Sequence, residues 1–144
     1  MEFQLEYSEA LQYSDDEDGI TLRVFLKSGD IVRGAFAKVD TGAAVCLFSR
    51  EVGEQLDLDI EKGIPIKLGS LHGTIEAFGH DITFQTGNLI FHTTIYFASE
   101  YGLPRNFLGR QGWLRNIRLE LWITKLAFTW RITAAELRLS IKRV

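Results

Sequence analysis

The sequence predicts a mostly β domain with one short helix, and three observations carry that expectation. Apolar and polar residues alternate with period two along several segments, 13 glycines are spread through the chain against 2 prolines, and 46% of the 144 residues are hydrophobic. Alternation of this kind buries one face of a strand, while scattered glycine supplies turns. The length suits a single domain with enough apolar material for a real core. We expect one domain over 1–144, with its core over about 20–121 and its terminal strands as candidates for an interface between copies.

The elements follow in order. Asp15-Asp16-Glu17-Asp18-Gly19 is too acidic to bury and reads as a solvated loop. Thr21 to Lys27 alternates with period two, Ser28-Gly29-Asp30 is a turn, and Ile31 to Ala37 is the hairpin partner. A second apolar strand is expected over Val45-Cys46-Leu47-Phe48. Ser49 is an N-cap for a short helix running through Glu51, Val52 and Leu56, with acidic residues in its first turns as the helix dipole favours. Further strands are expected over Ile64 to Leu68, Thr74 to Phe78, Ile82 to Gln85 and Leu89 to Phe97. The C-terminal stretch adds two or three more, of which Ile117 to Leu121 and Glu136 to Ile141 alternate most cleanly.

Charge is distributed unevenly. Residues 1–60 carry 13 acidic and 5 basic side chains, whereas residues 114–144 carry 2 acidic and 7 basic ones. One reading is a solvated acidic face and a C-terminal strand with outward Arg and Lys; the other is pairing between the two terminal strands, within a chain or between chains. The basic segment is short and interleaved with Leu, Ile, Trp and Phe, which argues against nucleic-acid binding. No apolar run is long enough for a membrane-spanning helix, and the N-terminus lacks a secretory pattern, so no membrane association and a cytoplasmic location are expected.

Four residue types invite a chemical role and mostly do not earn one. His72, His80 and His92 fall on different expected segments without metal-ligand spacing, so no metal is expected. Cys46 is alone in an apolar strand and reads as an inert core thiol. Trp113, Trp122 and Trp130 read as core or interface residues. Asp40 is different. It lies between the apolar runs that end at Val39 and begin at Val45, in Asp40-Thr41-Gly42-Ala43, where Gly42 allows the backbone to turn closely. A carboxylate buried there without a partner would be costly or would protonate.

Two later features share the order and spacing of a known pattern. One is Leu68-Gly69-Ser70-Leu71-His72-Gly73-Thr74, strand-like arms around a Gly-x-x-x-Gly tip; the other is Phe107-Leu108-Gly109-Arg110. Together with Asp40-Thr41-Gly42-Ala43 they resemble the retropepsin-like aspartic proteases, single-domain relatives of the retroviral enzymes, from about Ile31 to about Leu121. The stretch from Gly79-His80-Asp81 to Gly109-Arg110-Gln111-Gly112 looks most like bacterial members of that group. The resemblance implies a closed β-barrel with a short helix after the catalytic loop and a β-hairpin flap.

It also implies an aspartic endopeptidase that needs no cofactor. Two neighbouring carboxylates share one proton, so one can activate a water while the other polarises the scissile carbonyl. The chain has a single Asp-Thr-Gly, so the resemblance implies a homodimer with one Asp40 per subunit, acting on a peptide or protein substrate. Asp40, Thr41 and Gly42 are then the catalytic residues, with Thr41 bonding to the opposite loop and Gly42 offering its carbonyl to substrate. Ala43, Leu68, Gly69, Ser70, Leu71, His72, Gly73 and Phe107 are the substrate-binding ones, and Leu108, Gly109 and Arg110 are structural. Val45, Leu71, Ile75 and Phe107 are the expected apolar lining of the cleft.

The chain departs from the pattern at several points. Where retroviral members commonly carry an acidic residue that pairs with the late arginine, it has Ala44-Val45, which leaves Arg110 without an assigned partner. His72 occupies a tip position usually held by a small residue. The family's usual helix after the Gly-Arg motif is less evident here, and the tail to Val144 exceeds what a minimal protease needs. The alternative function is a retropepsin-like domain that binds peptide or partners without efficient proteolysis.

Overall fold

The computed structural model describes residues 9–13, 19–124 and 127–133, with 118–124 and 127–133 described as backbone. In chain order the strands are β1 (Glu9–Tyr13), β2 (Thr21–Ser28), β3 (Ile31–Val39), β4 (Leu47–Phe48), β5 (Ile64–Ser70), β6 (Gly73–Thr86), β7 (Leu89–Ala98), β8 (Asn106–Leu108), β9 (Arg118–Thr124) and β10 (Ala127–Thr133). Between β4 and β5 lie helix α1 (Arg50–Gln55) and a 3-10 turn at Ile60–Lys62, and a second 3-10 turn occupies Leu114–Asn116.

The barrel closes because β2 is paired on both sides. Around the ring the order is β2-β3-β8-β4-β7-β6, and β6 returns to β2 through Val24↔Thr86 to Lys27↔Thr83. Closure leaves the ring without free edges. The expected hairpin forms with Ser28 opposite Ile31, and Leu22, Val24 and Leu26 turn inward while Arg23 and Lys27 face out. The core is aromatic and aliphatic: Phe48 lies between Phe84 and Phe97, with ring centroids 6.2 and 6.4 Å away. Trp113 is fully buried, and its indole N–H donates to the equally buried Thr86 hydroxyl at 3.0 Å, so the barrel interior holds a matched polar pair.

The helix is capped as expected, with Ser49 Oγ accepting from Val52 N at 3.4 Å. Three expectations need correction. The strands read as Thr74 to Phe78 and Ile82 to Gln85 are one strand of 14 residues, β6, whose early part pairs with β5 and whose later part pairs with β7 and β2. Gly79 does not break it; the residue opposite is Tyr96, whose ring stands 2.9 Å from where a Cβ would be, so glycine makes room for it. Asp81 stays exposed and accepts a hydrogen bond of 2.6 Å from its cross-strand neighbour Thr94. The apolar run at Val45 to Phe48 is strand only at Leu47–Phe48, because Val45 bridges to Gln111 instead. The strand expected from Ile117 begins at Arg118, after the 3-10 turn, and Ile117 itself enters the core.

The two ends meet within the chain. β1 pairs antiparallel with β10 from Glu9↔Ile132 to Tyr13↔Phe128, and β10 pairs with β9 to complete a three-stranded sheet. Leu11 and Tyr13 pack on the barrel core, and Glu9 accepts a hydrogen bond of 2.8 Å from Asn88 N at the β6–β7 turn. Of the two readings of the charge asymmetry, terminal pairing therefore holds for these segments. The strand expected over Glu136 to Ile141 and the acidic loop at 15–18 lie outside the described residues, as do the side chains of Trp122 and Trp130.

Candidate active site

Asp40 follows directly on β3, whose last residues pair in parallel with β8. Its backbone N–H donates to Leu108 O at 2.9 Å, which ties the loop to the strand behind it. The half-buried carboxylate is held by its own loop: Oδ1 accepts from Gly42 N at 2.9 Å and from Ala43 N at 3.2 Å. Asp40 is therefore a turn residue by geometry, and the short Asp side chain is what allows the turn to close on itself.

The loop is locked from behind by the segment after β8. Arg110 N donates to Ala43 O and Gln111 N to Ala44 O, each at 2.9 Å, while Cys46 N donates to Gln111 O at 3.2 Å. This crossing needs glycine at 109. A Cβ there would lie 2.1 Å from Val45 O, 2.5 Å from Val45 C and 2.9 Å from Ala43 O, all of them backbone. Cys46 sits beneath the crossing, and Gly109 N donates to its sulfur at 3.3 Å. Burial pushes the Cys46 thiol up to about 12, against a smaller opposing effect from that Gly109 hydrogen bond. A thiol so held is protonated and unreactive at neutral pH, as the sequence suggested.

In front of the loop lies a groove of about 490 Å³. Asp40, Gly42, Ala43, Val45, Leu68, Gly69, Ser70, Ile75 and Phe107 line it, so most expected site residues converge on one place. The β5–β6 hairpin provides the opposite wall. Leu71, His72 and Gly73 form the exposed tip of that hairpin, where the Gly-x-x-x-Gly pattern put them, and they lie outside the lining of the groove in the single chain, Leu71 being fully exposed. Ser70 fastens that tip, its hydroxyl donating to Gly73 O at 2.9 Å and accepting from His72 N at 3.3 Å.

Thr41 is exposed and is not among the lining residues. Leu108 and Gly109 are buried, whereas Arg110 is exposed and forms no ion pair among the described residues. Its backbone N–H donates to Ala43 O, and its carbonyl accepts from Arg115 N at 3.0 Å. Sequence reasoning missed Ala44, Leu47 and Lys67 as lining residues. Lys67 is exposed on β5, where its Nζ pairs with Glu76 Oε1 at 3.7 Å.

The histidines are dispersed. His80 Nε2 lies 3.0 Å from Ile60 O, His92 Nδ1 lies 3.0 Å from Thr83 Oγ1, and His72 is at the tip. Among the described residues no helix is long and apolar enough to cross a membrane.

No protein-family model and no curated protein matches the chain. Solved structures do. A retropepsin-like aspartic protease from Rickettsia conorii superimposes with a TM-score of 0.59 at 16% identity, covering 90% of this chain and 97% of that one. The EIAV protease, solved with the inhibitor HBY-793, gives a TM-score of 0.52 at 20% identity, covering 68% of this chain and 88% of that one. Both likenesses concern the path of the chain, and with the closed barrel they establish a retropepsin-like fold.

Proposed function

We propose that the chain is one half of an aspartic endopeptidase, completed by a second copy that brings its own Asp40 to a shared two-fold axis. The observation that carries this reading is the placement of Asp40: a carboxylate on a backbone-locked turn, open to a groove whose other wall is a β-hairpin. The fold shared with aspartic proteases supports it.

The chemistry follows from two carboxylates at hydrogen-bond distance. Like charges so close cannot both ionise readily, so the pair holds one proton and titrates as a unit. The ionised member takes a proton from a water held between the two as that water attacks the scissile carbon. The protonated member donates to the carbonyl oxygen, and the proton then passes to the leaving amine. In each chain the Gly42 and Ala43 N–H groups fix one oxygen of Asp40 and leave Oδ2 to face the partner and the water. The hairpin acts as the flap. It lays its edge along an extended peptide, adds to it as a strand, and excludes water from the reacting bond. The apolar lining of Val45, Ile75, Leu68 and Phe107 selects apolar side chains beside that bond.

A second reading has its own observation. Within one chain one oxygen of the Asp40 carboxylate is already held by its own loop, and Arg110 has no ion pair among the described residues. A peptide-binding domain without turnover needs no more than this. Asp40→Asn separates the two. Asn retains the Oδ1 acceptor and the fold, so the protease reading expects peptide cleavage to fall at least 10²–10⁴-fold, the scale of a lost acid-base group. Unchanged processing of a peptide by the variant would rule that reading out.

A further inference from the structure

A second groove, of about 630 Å³, adjoins the Asp40 groove and shares Lys67 and Ile75 with it. Its floor is apolar, formed by Ile75, Ala98, Leu103 and Pro104. Leu103 and Ile75 pack against the small cluster of Leu47, Ala77 and Ala98, so this floor is anchored to the barrel. The outer wall is the 99–102 segment, which has no strand or helix of its own. An irregular wall keeps its shape only if something outside it holds it.

Helix α1 supplies that hold. Arg50 Nη1 donates to Ser99 O at 2.8 Å, Gly102 N donates to Glu51 Oε1 at 3.2 Å, and the Tyr101 hydroxyl donates to Glu54 Oε1 at 2.7 Å. Arg50 also lies over the Tyr101 ring, 5.3 Å from its centroid, and its guanidinium is fixed from the other side by Glu54 and Glu61. Three charged side chains of the helix thus bind the wall at Ser99, Tyr101 and Gly102, and Glu61 of the following 3-10 turn holds Arg50 in place. Most of this cluster is partly exposed, where ion pairs add little stability. Its geometric effect is larger, because it fixes three points of a short wall.

We infer that Arg50 and Glu51 are positioning residues for an extended substrate site, in which the second groove takes an apolar side chain of the peptide at a distance from the reacting bond. This rests on the reading of the Asp40 groove as the place where peptide binds. The second groove then makes the protein a reader of long apolar segments, and α1, which does not line the Asp40 groove, sets that selectivity.

The test compares two synthetic peptides, a short one centred on Phe-Leu and the same one extended at both ends with leucines. Binding to the Asp40→Asn protein is measured by calorimetry, and kcat and KM are measured on the unmodified protein. Burial of one leucine side chain corresponds to about tenfold or more in affinity. The extended peptide should therefore bind at least about tenfold more tightly. Arg50→Met and Glu51→Ala should erase that advantage while leaving the short peptide's binding and kcat unchanged, and Glu51→Gln, which keeps the acceptor for Gly102 N, should restore it. Glu100→Trp, which fills the groove from an exposed position, should erase it too without touching the helix cluster. Equal affinity for the two peptides, or equal weakening of both by Arg50→Met, overturns the inference. A length advantage in binding without any turnover would refute the protease reading and uphold the groove.

Discussion

Gly109→Ala is the most exacting test of the locked loop. The added methyl would stand 2.1 Å from Val45 O and 2.5 Å from Val45 C, and both are backbone atoms with no rotamer to change. Relief requires the 43–45 segment and the 109–111 segment to move apart. That movement breaks the hydrogen bonds from Arg110 N to Ala43 O, Gln111 N to Ala44 O and Cys46 N to Gln111 O. At about 1 kcal/mol each, these account for about 3 kcal/mol, and overpacking of a buried site adds about 1–3 kcal/mol. We expect urea denaturation to show about 4–6 kcal/mol lost in Gly109→Ala. Gly69→Ala is the control: nothing lies within 4 Å of its would-be Cβ, so it should cost no more than about 1 kcal/mol. Any peptide cleavage should also vanish in Gly109→Ala at denaturant-free conditions where the protein is still folded, because the Asp40 loop can no longer hold its turn. A Gly109→Ala protein as stable as Gly69→Ala would refute the crossing on which the site's geometry depends.

Other expectations concern single groups. Because burial pushes the Cys46 thiol up to about 12, a thiol reagent at pH 8 should leave the native protein unmodified and should label it fully in denaturant. Glu61 is held below its ordinary value of 4.5, chiefly by hydrogen bonding to Arg50, and Glu51 likewise by hydrogen bonds from its own N–H and that of Gly102. A carboxylate depressed in the folded state stabilises the fold above the unfolded value of 4.5, and that contribution is lost as pH falls through the lower folded value. The melting temperature should therefore drop on acidification below about pH 4.5, and Arg50→Met, lacking the Glu61 part, should show a shallower drop from a lower neutral-pH value. Thermal melts at pH 7 and at pH 3.5 check this; parallel drops in both proteins would contradict it.

Much of the site was legible because its determinants are local. The β2–β3 hairpin follows from period-two alternation around Ser28-Gly29-Asp30, the α1 cap from Ser49, and the Asp40 turn from a short acidic side chain beside Gly42. Gly109 was visible as part of a motif, but its physical reason, a backbone crossing of residues 43–45, exists only in three dimensions. The unity of β6 was hidden because Gly79 and Asp81 interrupt its apolar pattern for the sake of Tyr96 and Thr94 on the neighbouring strand. The Arg50 cluster was invisible for the same kind of reason. Its partners Glu61 and Ser99 lie 11 and 49 residues away, and no periodicity links them. Leu71 was legible as part of the hairpin tip, but that the turn holds it out from the groove in the single chain is visible only in three dimensions.

The central claim is that Asp40 becomes half of a dyad only in a pair of chains. The most direct measurement is a crystal structure of the assembled protein with an aspartic-protease inhibitor, read for the separation of the two Asp40 carboxylates. The account predicts a symmetric dimer with their nearest oxygens at hydrogen-bond distance, about 3 Å, bridged by the inhibitor's hydroxyl. A monomer, or a dimer whose Asp40 carboxylates stand too far apart to share a proton, would contradict it.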